Sequence, residues 1–226
     1  MSSNVTIEVT SHKDKVSVVR QRAILFGAEL IHIFISTLSE TFQANGMLTQ
    51  VVLTSSLWTS LYCFVCYFWR SKSYEWSCRS VSLLHALLIT SLSYYCTFIQ
   101  GPWPFTDAGG PNTPFQESIA IISVGYFIFD FFWCLYFQTD GQTMLCHHFV
   151  SIIALAICLI TGSYGTEIVA TIFGSEISNP LLQCRWFLKY SGNRDTAIAD
   201  LVDAAFILTF TYSWECLRYH LDGKIL

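Results

Sequence analysis

Long apolar runs separated by short polar connectors constrain this chain more than any other feature. Residues 47–69, 80–101, 117–137 and 145–162 are each apolar over spanning length. A helix needs about 20 residues at about 1.5 Å each to cross the hydrocarbon of a bilayer. Two further segments are weaker. Residues 166–183 carry Glu167, Glu176, Ser178, Asn179 and Pro180, and residues 197–214 are interrupted by Asp200 and Asp203. Both are expected to face protein rather than lipid. Residues 23–39 are apolar but contain Glu29 and His32, and at about 17 residues they sit at the lower limit for a span. They form either an extra span or an interfacial helix. The expected fold class is therefore all-α, a polytopic transmembrane helical bundle of about six spans, with five to seven as the range. Its parts are an N-terminal tail over residues 1–45, a membrane domain over 46–214 and a short C-terminal tail over 215–226.

Composition supports this division. Only 12% of the 226 residues are charged, about half the share of a soluble domain. The charges gather in the tails and connectors. A net charge of −4 gives no sign of nucleic-acid binding. Of the nine cysteines, Cys63, Cys66, Cys96, Cys134, Cys146 and Cys158 fall in apolar runs, where a free thiol packs as a small hydrophobe. The Cys63–Cys66 pair has no second CxxC and is read as packing. The polar N-terminus lacks the pattern of a cleaved signal peptide.

Basic residues set the expected orientation. Arg70, Lys72 and Arg79 follow the first clear span, and Arg185, Lys189 and Arg194 follow the fifth, whereas residues 102–116 have neither Lys nor Arg. The two basic connectors should be cytosolic. Lys13, Lys15, Arg20 and Arg22 draw the N-terminal tail to the same side, which requires residues 23–39 to cross. If the tail lies outside instead, Asn4-Val5-Thr6 becomes a glycosylation acceptor.

Ionisable residues inside a membrane are costly, and each is a candidate functional group. The spans contain His85, Asp130, His147, His148, Glu176 and Asp203. Counted along alternating helices, all six fall within roughly 12 Å of the basic end. A shared polar cavity is the reading favoured over isolated pairs. For His85 alone, a solvated or capping residue near a helix end is the simpler account. His147 and His148 are about 100° apart on a helix and cannot both aim at one point. The chain has six histidines and no HxxxH or HExxH, so no metal site is expected. There is no phosphate-binding loop, GxSxG or dinucleotide fingerprint. A histidine beside carboxylates suits general-base activation of an amine or hydroxyl. It suits a structural hydrogen-bond network equally well.

His147-His148-Phe149-Val150-Ser151, followed by residues 173–188, resembles the TLC domain of ceramide synthases, translocating-chain-associating proteins and their relatives, with similarity running from about Trp58 to Asp203. The resemblance implies a bundle of helices around a lipid tunnel, with the endoplasmic reticulum as its usual compartment and the plasma membrane as the alternative. In the ceramide synthases, paired histidines and a downstream His-Asp-x-x-Asp motif join an acyl-CoA to a sphingoid amine. His147 and His148 match the paired histidines and are the candidate catalytic residues. The downstream motif falls on Ser175-Glu176 and Asn179, and the Leu-Glu after it falls on Leu182-Gln183. One acid is kept, and a titratable group is lost at each other place. His85, Asp130, Glu176, Asn179 and Asp203 are the candidate cavity residues.

Three functions follow in order. The first is lipid handling or lipid homeostasis without catalysis and without a cofactor, with membrane lipids as partners. The second is an acyl-CoA-dependent lipid acyltransferase using the histidine pair as general base, with acyl-CoA as co-substrate. The third is a proton- or ion-coupled transporter. The resemblance also implies that the family continues through more hydrophobic sequence where this chain has 23 residues after Asp203. A shortened variant with poorer expression than a longer form is expected.

Overall fold

The structure is a computed structural model that describes residues 46–222, with the exception of 105, 139 and 140. Residues 23–39 and the Asn4 sequon lie outside the described residues. The described chain is mainly helical. Helix α1 spans Met47–Phe68, α2 spans Tyr74–Tyr94 and runs on into a π-helical turn at Tyr95–Gln100, and α3 spans Pro114–Phe137. Helix α4 covers Gln142–Thr161, α5 Gly165–Glu176, α6 Asn179–Tyr190 and α7 Ala197–Asp222. A single isolated bridge, Pro111 to Ser163, is the only β pairing among the described residues.

Among the described residues, four helices are long and apolar enough to cross a membrane, namely α1, α2 with its π turn, α3 and α4. Their burial differs sharply. In α3, 78% of the most apolar window is buried, against 11% in α1 and 17% in α4. Helix α3 is therefore the hub, and α1 and α4 turn most of their apolar surface outward, as lipid-facing helices do. The α1–α3 seam is tight because Gly125 has no side chain. A Cβ there would stand 2.8 Å from both Cβ and Cγ2 of Thr54. One turn away, Trp58 Nε1 donates to the Ile122 carbonyl at 3.3 Å.

Helix starts follow local chemistry. Ser73 caps α2 by accepting the Trp76 amide at 3.1 Å, so this helix begins before the apolar run and takes Glu75 and Arg79 into its first turns. Thr113 and Gln116 form a capping box ahead of α3, with Pro114 in its first turn.

The fifth apolar segment is not one helix. It is built as two half-helices of 12 residues each, α5 and α6, individually about 18 Å long and too short to span. Pro180 accounts for the break. Its ring nitrogen has no hydrogen to donate to the carbonyl four residues back, which is that of Glu176. The Thr90 hydroxyl of α2 donates to that carbonyl instead, at 3.2 Å. In an apolar setting an unbonded carbonyl is costly, and a neighbouring hydroxyl is one of the few remedies. The last helix is 26 residues long and carries Asp200 and Asp203 near its start.

The connectors sort to two ends. Lys72, in the α1–α2 turn, lies 5.6 Å from the Tyr190 ring at the end of α6, and Trp186 Nε1 donates to Glu75 at 3.1 Å. Arg70, Lys72, Arg185, Lys189 and Arg194 thus gather at one end. At the other, Asn112 ties the α2–α3 connector to α4 and α5. Its backbone N–H donates to the Gly162 carbonyl at 2.8 Å, and its side-chain Oδ1 accepts the Gly165 amide at 2.7 Å.

Candidate polar cavity

The i, i+4 and i, i+3 spacings of helices decide which polar groups share a face. On α2, Cys78, Ser82 and His85 follow this rule, as do Tyr126 and Asp130 on α3. Glu176, Asn179 and Gln183 do the same across the α5–α6 break. These faces meet around a cavity of about 600 Å³, toward the basic end of the bundle. Helices α2 through α7 all contribute to its lining.

One wall holds Asp130, buried on the hub helix. Its Oδ2 lies 3.4 Å from His148 Nδ1, and its Oδ1 accepts from the Cys78 thiol at 3.4 Å. Beside it, the Tyr126 hydroxyl donates to Ser82 Oγ at 2.9 Å. The Ser82 hydroxyl donates in turn to the Cys78 carbonyl at 3.1 Å. The α5–α6 part of the lining is a chain of hydrogen bonds. Asn179 Nδ2 donates to Glu176 Oε2 at 2.8 Å, and Gln183 Nε2 donates to Asn179 Oδ1 at 2.8 Å. Gln183 is buried and its Oε1 has no hydrogen-bond partner among the described residues. Glu176 is also buried. The cavity therefore offers carboxylate, amide oxygen, hydroxyl and imidazole groups inside an apolar bundle.

His147 and His148 both line it, and both place ring edges against Phe127, at 6.0 and 5.6 Å between centroids. The 100° offset separates their surroundings instead. His148 is buried against Asp130, and His147 is exposed. Asp130, Glu176 and Asn179 line the same cavity as the histidines.

Two of the sequence candidates stand elsewhere. His85 lies one layer behind the lining, wholly buried, with its ring stacked on Tyr126 at 3.7 Å and 9°. Trp58 meets its edge at 5.5 Å. Neither of its ring nitrogens has a hydrogen-bond partner among the described residues. Asp203 faces a separate, smaller cleft and is paired with Arg185 through Nε–Oδ1.

Sequence reasoning passes over Cys78, Arg79, Ser82, Tyr126 and Gln183 as cavity groups. Serine, cysteine and tyrosine are ordinary in apolar helices, so residue type gives no signal. The helical spacing of Cys78 and Ser82, and of Tyr126 and Asp130, is the usable one. Among the described residues, no group of three His, Cys, Asp or Glu is placed to hold a metal ion, and the described cysteines are free thiols.

Comparison with known proteins agrees with this architecture. A family model described as the TLC domain matches residues 75–220, more than half of the chain. TLC domain-containing protein 2 of Danio rerio is 29% identical over 123 residues, covering 53% of this chain and 49% of that protein. The protein of the same name from Mus musculus is 30% identical over 127 residues, covering 54% of this chain and 40% of its own length. The chain thus spans about half the length, or less, of these curated relatives. No solved structure matches. The apolar helical bundle and the family match lead to one conclusion: the chain is an integral membrane protein and belongs to the TLC domain family.

Proposed function

We propose that the cavity holds the polar end of a membrane lipid and that the protein acts in lipid handling or lipid homeostasis. One observation carries this reading. Two polar groupings, Asp130 with His148 and Cys78 and the hydrogen-bonded chain Glu176–Asn179–Gln183, line one cavity of about 600 Å³ within an apolar helical bundle. Ionisable groups buried at that depth are expensive without a purpose. A lipid head bearing hydroxyl or amide groups satisfies them while its chains stay in hydrocarbon. The endoplasmic reticulum is the proposed compartment. Co-localisation of a tagged chain with a reticulum marker tests it, and a plasma-membrane signal opposes it. Within the family, the strings YEWSCR, GPWPF, GPNTP, GYFIFD and FGSEISNPLLQCRWFL resemble TLC domain-containing protein 5, also called transmembrane protein 136, and we place the chain nearest that member.

Lipidomics of cells lacking the protein is the test. Re-expression of the wild type restores the altered lipid class, and the Asp130→Ala/Glu176→Ala variant, present at equal level, does not. Full restoration by that variant sinks the cavity as the working site.

A second reading rests on the His148–Asp130 contact of 3.4 Å. A carboxylate beside one ring nitrogen orients imidazole as a general base. In an acyl-CoA-dependent transfer, His148 takes the proton from a lipid amine or hydroxyl as that group attacks the thioester carbonyl. The carbon–sulfur bond breaks, and the departing coenzyme A thiolate recovers the proton. Purified protein that forms labelled acyl-lipid from acyl-CoA, and loses this with His148→Ala, supports transfer. The absence of product from well-folded wild type removes it.

A further inference from the structure

Next to the polar cavity lies a second concavity of about 300 Å³, between α6 and α7 at the basic end. Its lining includes Arg185, Lys189 and Arg194 with a single carboxylate, that of Asp203. Basic residues at one end of a membrane bundle need no ligand to explain them, because they set orientation. These three differ by converging on one hollow. Arg185 and Lys189 are four residues apart on α6 and share a face, and Arg194 reaches the same hollow from the turn before α7. Asp203 neutralises Arg185 through their ion pair. Neither Lys189 nor Arg194 has an ion-pair partner among the described residues. The hollow therefore keeps an excess of two positive charges.

Its position matters as much as its charge. Leu182 lines both this hollow and the polar cavity. Trp186, in the wall of the hollow, has its ring 5.9 Å from the guanidinium of Arg79, which lines the cavity. A molecule with an anion at one end, polar linkage atoms next and apolar chains beyond matches the basic hollow, the polar cavity and the surrounding bilayer in turn. Basic pockets between membrane helices are established sites for anionic lipid head groups.

We propose that the α6–α7 hollow binds the phosphate of an anionic glycerophospholipid from the surrounding leaflet, with Lys189 and Arg194 as its principal contacts. This rests on the reading of the cavity as a lipid site and adds the head-group class. The experiment uses the full chain purified in detergent, with native mass spectrometry and titration of phosphatidic acid against phosphatidylcholine. Wild type binds phosphatidic acid in preference. The Lys189→Gln/Arg194→Gln variant binds it about thirtyfold more weakly, at about tenfold per 1.4 kcal/mol with about 1 kcal/mol for each lost cation. Its phosphatidylcholine affinity and melting temperature stay unchanged. Lys189→Arg/Arg194→Lys keeps the preference, and Arg70→Gln, which removes a basic residue at the same end outside the hollow, leaves it intact.

Equal affinity for the two lipids, or an equal loss for both in the glutamine variant, overturns the phosphate site while leaving the cavity reading standing. Binding of neither lipid likewise overturns the phosphate site, and the lipidomics rescue with Asp130→Ala/Glu176→Ala decides the cavity reading separately. Displacement of phosphatidic acid by millimolar inorganic phosphate assigns the hollow to soluble phosphate esters and overturns the lipid source.

Discussion

His148 and Glu176 illustrate how single residues acquire meaning from their neighbours. Each is an ionisable group in a membrane bundle, and each is held by a partner on a helical face. Removing one partner leaves a desolvated polar atom of the other without that contact, which costs about 1–3 kcal/mol. Glu176→Leu strips the acceptor from Asn179 Nδ2 and is expected to lower stability by about that amount. Glu176→Gln keeps an oxygen in place and is expected to cost less than half as much. Thermal unfolding in detergent measures both, and equal losses would show that the Asn179 hydrogen bond is not what Glu176 supplies. Intramembrane ionisable residues are rare enough to be found by inspection, so His147, His148, Asp130 and Glu176 are legible in the sequence alone. Asp203 is equally visible there, but its direction is not. Its pairing with Arg185 depends on how the α6–α7 turn folds back. Cys78 and Ser82 are invisible as site residues because neither departs from ordinary apolar-helix composition.

The α5–α6 break belongs to the scale of elements. Pro180 signals an interruption in the sequence. What the sequence cannot display is that a hydroxyl from α2, that of Thr90, supplies the missing donor to the Glu176 carbonyl. Thr90→Val is expected to cost about 1 kcal/mol in the native background. Pro180→Ala returns a backbone N–H to that carbonyl, so Thr90→Val should cost markedly less in that background. A double-mutant cycle reads this coupling, and strict additivity would contradict it. The α1–α3 seam gives a second test. Gly125→Ala places a Cβ against Thr54, whose contacting atoms are the stiff, branched part of the side chain. We expect a loss of about 1–3 kcal/mol, larger for Gly125→Val, because overpacking forces helices apart. An unchanged melting temperature for both variants would mean that the two helices separate freely.

At the scale of the whole molecule, the helical membrane bundle is legible from apolar run length and charge sparsity alone. The central place of α3 is not, because all four clear spans look similarly apolar and only packing separates the hub from its lipid-facing neighbours. The arrangement of ends is open to direct test. Basic connectors lie at one end with the polar cavity, and the Asn112-tied connectors lie at the other. A glycosylation acceptor engineered at residues 107–109 is expected to be modified, and one at residues 192–194 is not. The reverse pattern would invert the orientation while leaving the cavity on the side of the basic connectors.

A lipid's polar end is proposed to sit between the Asp130–His148 pair and the Glu176–Asn179–Gln183 chain. Photo-crosslinking with a lipid that carries its reactive group beside the glycerol backbone, followed by peptide mapping of the full chain, tests it most directly. Labelling is expected on the peptides that hold His147–His148 and Ser175–Gln183, reduced by excess unlabelled lipid. Labelling confined to the outward faces of α1 and α4, with none in the cavity, would contradict it.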